Sequence, residues 1–292
     1  MIGSDVRWAE SKIEGQESVG RRRFRRYLLP AVGLVVLAFW AVMIVIGPWL
    51  APLDPNAVEL GDRLLSPSAL HPFGTDALGR DVLSRVLHGT RLSLPTGIIV
   101  VLLAVVIGTT WGAVAAYAGG RSEEAMMRVA DVVLAFPALI LAMAIAAALG
   151  IGVTSAIVAM VAVWWPAYAR LARSLVLVQR DQEYVQAARV LGYSPGRILA
   201  RHILPNATGP LIVLMTLDVG NAIITFAALS FLGLGVTPPT AEWGAMISDG
   251  RLLITQWWVA TFPGLAIISV VLGFNFLGDG VRDWLDPRAR RR

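Results

Sequence analysis

Residues 28–50, 92–118 and 132–169 carry no charged side chain. Each run reaches or exceeds the roughly 20 apolar residues that one helix needs to cross the hydrocarbon core. The run 132–169 is too long for one crossing, and Gly150-Ile151-Gly152 offers a turn near its middle. It is therefore read as two helices, 127–149 and 153–171. A fifth span covers 207–234, interrupted only by Asp218, and a sixth lies within 252–278. Composition agrees: 56% of the chain is apolar and 15% charged, against about 45–50% and about 25% in soluble proteins. The fold class expected is an all-α integral membrane protein with six transmembrane helices.

Charge placement orients the bundle. With the N-terminus in the cytoplasm, 20 Lys and Arg fall on inner segments and 5 on outer ones. Positive charge concentrates on cytoplasmic loops, so both termini are expected there. This use of the net +5 charge removes most support for nucleic acid as a partner and leaves the lipid membrane. The basic stretch Arg21-Arg22-Arg23 and Arg25-Arg26 precedes an apolar run too long for a signal peptide and lacking an A-x-A site. An uncleaved first helix is expected. The organisation read is a cytoplasmic tail over 1–27, a first span over 28–50, an outer loop over 51–91, a core of five spans over 92–281 and a basic tail over 282–292.

Some chemistry is excluded. The chain has no Cys, and His71, His88 and His202 are dispersed without metal-ligand spacing. Neither a metal site nor a catalytic cluster is expected. No G-x-x-x-x-G-K-[ST] motif occurs, and the sole Lys is Lys12, so this chain is not expected to bind ATP as a P-loop protein does.

In the outer loop a helix is expected after a cap at Thr75 or Asp76. Leu78, Val82, Leu83, Val86 and Leu87 share one face, Asp81 and Arg85 pair at i,i+4, and Gly89 ends it. It reads as a surface helix on the membrane or bundle; a gate or a docking surface for an outside partner is the other reading.

The inner segment 184–205, within a loop over 174–206, is longer than a minimal helix connection. Val185, Ala188 and Leu191 have helical spacing over 182–191, and Gly192 suits the position that ends a helix. Ser194 can cap a second piece with Pro195 at its first position. That piece carries Ile198, Leu199, Ile203 and the stems of Arg197 and Arg201, and Pro205 is expected to break it before the fifth span. Two readings stay open: an ordinary interfacial loop, or a rigid protrusion that a soluble partner grips as a lever.

Asp218 is the one carboxylate well inside a span, with Asn221 a turn later. It reads either as lining a translocation path and contacting an amine or cation, or as a hydrogen-bonded partner to a neighbouring helix. Asp131, near Arg128, reads as a solvated interfacial charge. Trp164-Trp165 and Trp257-Trp258 read as interface or packing residues, and Pro137, Pro166 and Pro263 as possible kinks.

Several of these residues carry a resemblance. Gln186-Ala187-Ala188, then Gly192, then Leu204-Pro205 resemble the EAA loop of ABC-importer permeases. Gln186 stands for the usual Glu, and His202 where an Ile falls. The stretch from His71 to Arg85, HPFGTDALGRDVLSR, is similar to the outer-loop signature of the "C" permeases of dipeptide, oligopeptide and nickel importers. Ala227-Ala228-Leu229-Ser230-Phe231, with Pro238-Pro239 and Trp243-Gly244, resembles the same family; Phe226 stands where a Glu is usual. The resemblance implies a type I ABC importer permease in a bacterial or archaeal plasma (inner) membrane. It implies a homologous "B" permease, two ATPase subunits or domains carrying ATP and Mg, an extracytoplasmic solute-binding protein, and no cofactor on this chain. It also implies ATPase coupling through Tyr184, Gln186, Ala187, Ala188, Arg189, Leu191, Gly192, Leu204 and Pro205. The competing classes are a self-contained secondary transporter or channel, thinly supported by one intramembrane Asp, and a membrane enzyme, for which no residue cluster speaks.

Overall fold

A computed structural model describes residues 28–285. The described residues are helical apart from connecting segments and one isolated antiparallel bridge, Thr75 to Asp81. In chain order the helices are α1 (Leu28–Leu50), α2 (Val82–Ala118), α3 (Gly120–Leu134), α4 (Ala138–Leu149), α5 (Val153–Gln179), α6 (Glu183–Val190), α7 (Pro195–Ile198), α8 (Leu204–Phe231), α9 (Trp243–Gly250) and α10 (Trp258–Leu285). Among the described residues five helices are long and apolar enough to cross a membrane: α1, α2, α5, the continuous stretch Pro195–Phe231, and α10. The pair α3 and α4 makes a sixth if taken as one span, but it bends by 89°.

Several expectations are corrected. The third span, read as one helix over 127–149, is broken at Ala135–Pro137. Pro137 disfavours helical geometry in the residue before it, and it precedes α4 at ψ 122°. The outer-loop helix and the second span are a single helix, α2, of 37 residues. Its cap is Asp81, neither Thr75 nor Asp76: Asp81 Oδ2 accepts from Ser84 N–H at 2.7 Å and Ser84 Oγ at 2.8 Å. Gly89 does not end the helix; a Cβ there would lie 3.0 Å from the Trp243 ring. The Asp81–Arg85 pair does not form. Asp81 faces His71 Nδ1 at 3.0 Å, whereas Arg85 donates to the carbonyls of Pro55 and Pro239 and lies 3.7 Å from Asp76.

The fourth span runs on to Gln179. The charges that suggested its end are neutralised sideways by α3: Arg173 meets Glu123 at 2.6 Å and Arg170 meets Asp131 at 2.8 Å. Asp131, read from sequence as a solvated interfacial charge, is half-exposed and also ion-paired to Arg170, bracing α3 to α5. Pro205 breaks nothing. It sits in the first turn of α8, where a missing N–H is tolerated, and a π-type turn over Leu199–Ile203 joins α7 to α8. Pro166 and Pro263 lie inside α5 and α10.

The centre of the bundle is the contact of α2 with α5. A Cβ on Gly108 would overlap the carbonyl of Trp165, and one on Gly112 the carbonyl of Ala169. Small residues four apart let two helix backbones touch, which drives packing where lipid removes the hydrophobic incentive. Around this seam Val100, Val101, Ala104, Met160 and Tyr168 are buried. Helix α1 is peripheral. It is tied by Trp40 Nε1 donating to Ser269 Oγ at 2.9 Å, and by Arg91 donating to the carbonyls of Ile44 and Val45.

Replacing Gly112 with Val should lower the thermal midpoint of the purified protein, with a cost on the order of 3 kcal/mol from backbone separation. Gly264 lies in a helix with nothing within 4 Å of a built Cβ. Gly264→Ala should therefore leave stability unchanged or raise it by up to about 1 kcal/mol. Thermal unfolding followed by tryptophan fluorescence checks both.

Candidate functional site

Two features stand apart from ordinary bundle packing. The first is the hairpin α6–α7. Helix α6 buries Val185 and Ala188, and α7 with the following turn buries Ile198 and Ile203. These four meet Ala113 and Ala116 of α2 and Val176 of α5 in a separate apolar cluster. Arg180 Nη1 donates to the Ala116 carbonyl at 3.1 Å and ties the hairpin root to the end of α2. The bend is a Schellman turn: Gly192 N–H donates to Arg189 O and Tyr193 N–H to Ala188 O. Gly192 has φ +76° with nothing within 4 Å of a built Cβ. The backbone angle, rather than crowding, requires glycine there. Ser194 and Pro195 take the predicted cap and first positions, though the Ser194 side chain makes no cap hydrogen bond.

The predicted coupling residues therefore divide. Ala188 faces inward with Val185. Gln186, Ala187, Arg189, Leu191 and Gly192 are exposed, as is Pro205, while Leu204 is half-buried against the hairpin cluster. Tyr184 is 38% exposed, and its hydroxyl donates to Gln179 Oε1 at 2.7 Å. Gln186 donates to the Asp181 carbonyl. Val190 was not singled out by sequence, yet it is 88% exposed and adjoins Leu191 at 71%. Tyr193 was also missed; its ring centroid lies 5.6 Å from that of His202 at a 39° tilt, with the Arg197 guanidinium 5.5 Å from its own centroid. Its position just after the helix-ending glycine was the available signal.

The second feature lies at mid-length of α8. Asp218 Oδ2 accepts from the Tyr168 hydroxyl at 2.7 Å, and Asn221 Nδ2 approaches Oδ1 at 3.5 Å. Tyr168 is fully buried under Gly108. Nothing in the sequence pairs residues 50 apart, so Tyr168 was not foreseen. Asn221 is exposed and Thr225 half-buried on the same face.

The end of the bundle away from the hairpin holds a buried polar joint. Glu242 caps α9 and is fully buried. It accepts from Ser93 Oγ at 3.1 Å and from Ala245 N–H at 2.9 Å. Burial pushes its carboxyl above the usual range, against the pull of backbone N–H groups at Gly244 and Ala245. Trp243 donates to the Val86 carbonyl and meets Trp40 edge-on. Gly244 lies against the Ala227 backbone, which leaves no room for a Cβ. Arg80 joins Asp76 at 2.6 Å and Asp249 at 3.2 Å, linking the loop before α2 to α9. Phe226 is fully buried in the core. Trp258 is buried and donates to the Thr75 carbonyl, Trp257 is exposed, and Trp165 meets Trp111 edge-on. Among the described residues no three His, Asp or Glu gather as a metal site.

The described helices form a bundle of candidate membrane spans with the hairpin packed at one end. The chain belongs to the family described as binding-protein-dependent transport system inner membrane component, which it matches over residues 108–291. Residues 18–67 match the N-terminal TM domain of oligopeptide transport permease C. The chain is 47% identical over 262 residues to the probable D,D-dipeptide transport system permease protein DdpC of Escherichia coli (strain K12), covering 89% of this chain and 88% of that one. It is 42% identical over 270 residues to the dipeptide transport system permease protein DppC of Alkalihalophilus pseudofirmus, with 92% and 89% covered. It is 44% identical over 277 residues to the glutathione transport system permease protein GsiD of Pectobacterium atrosepticum, with 92% and 90% covered. A chain of the MetNI methionine ABC transporter in an inward-facing conformation shares the fold. Its TM-score is 0.58 at 17% identity, over 69% of this chain and 96% of that one.

Glu242 yields a pH prediction. An acid whose folded pKa is raised stabilises the fold fully below its unfolded value, and that contribution is lost as pH rises through the folded one. Glu242→Gln removes the charge and mimics the protonated acid: its amide oxygen can accept from Ala245 N–H while its NH2 donates to Ser93 Oγ. The variant should match the wild type near pH 4.5 and exceed its thermal midpoint by a few degrees at pH 8. Parallel melts across that range check this.

Proposed function

We propose that this chain is the membrane-spanning permease of an ATP-driven importer of short peptides, forming half of the translocation path with a second, homologous permease. Relatives at 42–47% identity carry names for dipeptide, D,D-dipeptide and glutathione transport, and this supports the cargo class. The charge bias of the loops supports cytoplasmic termini and a cytoplasmic hairpin. In this reading two cytoplasmic ATPases hold ATP and Mg, and a solute-binding protein delivers cargo on the opposite side.

The observation that carries the coupling role is the two-sided build of the hairpin. Its inner side is anchored to α2 and α5 by Val185, Ala188, Ile198 and Ile203. Its outer side presents Val190 and Leu191 to solvent with no apolar cover. Exposed apolar side chains on a rigid polar-rimmed element suit a protein partner. When the ATPases close on ATP, a gripped hairpin moves α5 and α8 as a rigid body, and the bundle alternates between its two openings. Polar groups on the surface of a spanning helix avoid lipid, so Asp218 and Asn221 are assigned to the face of α8 that lines the path.

The test is gentle-detergent purification of the tagged chain, with partners identified by mass spectrometry. P-loop ATPases and a second permease should co-purify. The double variant Val190→Asp, Leu191→Asp should lose the ATPases and cut ATP-dependent peptide uptake by at least about tenfold, as loss of a central apolar contact does. Gly192→Val, which strains the +76° turn, should leave the protein in the membrane with hydrolysis uncoupled from uptake. Purification of the chain alone, with gradient-driven flux in liposomes, would overturn the proposal.

A further inference from the structure

Asp218 lies 14 residues from Leu204 and 13 from Phe231, at the middle of α8. At 1.5 Å per residue that is about 20 Å from either end, near the centre of a hydrocarbon layer about 30 Å thick. Its two oxygens are not equivalent. Oδ2 is committed to the Tyr168 hydroxyl at 2.7 Å. Tyr168 is fully buried, with its Cβ pressed beneath Gly108 of α2. Tyr168 therefore cannot follow a moving ligand; it fixes the carboxylate plane. Among the described residues Oδ1 has only the 3.5 Å approach of Asn221 Nδ2, at the outer limit of a hydrogen bond. The side-chain amide of Asn221 is exposed, and its backbone carbonyl accepts from the Thr225 hydroxyl at 2.8 Å. Among the described ion pairs none involves Asp218. The flanking residues Leu214, Met215, Leu217 and Ile224 are apolar and partly or largely exposed. A carboxylate with one oxygen fixed and one open, in apolar surroundings, attracts a cation far more strongly than it would in water.

Resting on the reading of this chain as a peptide importer, we infer that Asp218 Oδ1, with the side-chain carbonyl of Asn221, is a subsite for the α-ammonium group of the peptide in transit. An ammonium has three donors and no acceptor, which matches two converging oxygens. Its acceptor-side orientation of Asn221 needs only rotation of an exposed amide. The subsite belongs to the permease and selects for a free amino terminus independently of the binding protein. A bare monovalent metal cation shares the charge but is not carried by the peptide.

The test measures equilibrium binding of radiolabelled L-alanyl-L-alanine to the detergent-solubilised permease–ATPase complex, purified without the solute-binding protein. N-propanoyl-L-alanine, which has the same length without the amine, is one competitor and sodium chloride is the other. The dipeptide should bind wild type, and the propanoyl analogue should compete at least about tenfold less well, as expected for loss of a charge-assisted hydrogen bond. Asp218→Asn should weaken dipeptide binding to the level of the analogue and abolish the difference between them. Asp218→Glu should retain the preference. Equal competition by the analogue in wild type, displacement by sodium at choline-matched ionic strength, or an Asp218→Asn variant that binds normally would overturn the subsite. ATP-dependent uptake of the same dipeptide with the binding protein present is measured alongside. Uptake without binding to the isolated complex, or without preference for the amine, overturns the subsite alone. Absence of uptake by wild type overturns the peptide-importer reading and the subsite with it.

Discussion

The backbone contact of α2 with α5 at Gly108 and Gly112 underlies both functional features. In lipid two apolar helices gain nothing by hiding from water, so they associate only where their surfaces interlock. Glycine at these positions lets the carbonyls of Trp165 and Ala169 seat directly on α2. One turn of α5 beyond Trp165, the same contact pins Tyr168, and Tyr168 holds Asp218. Further along, Ala113 and Ala116 of α2 and Val176 of α5 form the platform for the hairpin. The Asp218 face and the hairpin are thus mounted on one pair of closely packed helices.

The other end is fixed by different means. There Glu242, Ser93, Arg80, Asp76 and Asp249 form buried or half-buried polar contacts among α2, α9 and the preceding loop. Trp243 and Trp258 fill the space between them and donate to the Val86 and Thr75 carbonyls. Buried polar groups are costly unless each finds a partner, so these contacts specify one arrangement of the segments at this end. A bundle fixed in this way at one end has its freedom in the connections. The π-type turn at Leu199–Ile203 and the break before Pro137 are two such places, since both depart from regular α-helical hydrogen bonding.

Hydropathy located the spans because it reads a property each segment possesses alone. It misplaced several ends because it treats every charge as a boundary. Arg170 and Arg173 stay within α5 since Asp131 and Glu123 of α3 neutralise them from the side. Gly89 and Pro205 read as breakers from local chemistry. Gly89 instead accommodates the Trp243 ring, and Pro205 occupies a first turn that needs no donor.

The sequence by itself determined what depends on neighbours in the chain. The apolar runs, the charge bias of the loops and the hairpin bend, with Gly192 at positive φ followed by Ser194 and Pro195, are all of this kind. The hairpin's candidate residues were legible for the same reason, and so was Asp218 as a carboxylate with no local excuse. Only the tertiary structure decided which hairpin residues face inward, that Tyr168 holds Asp218 across 50 residues, and that Glu242 is buried at a three-element joint. The physical reason is that a side chain's partner across the bundle is set by helix register and close approach. Neither is written in the spacing of residues along one helix.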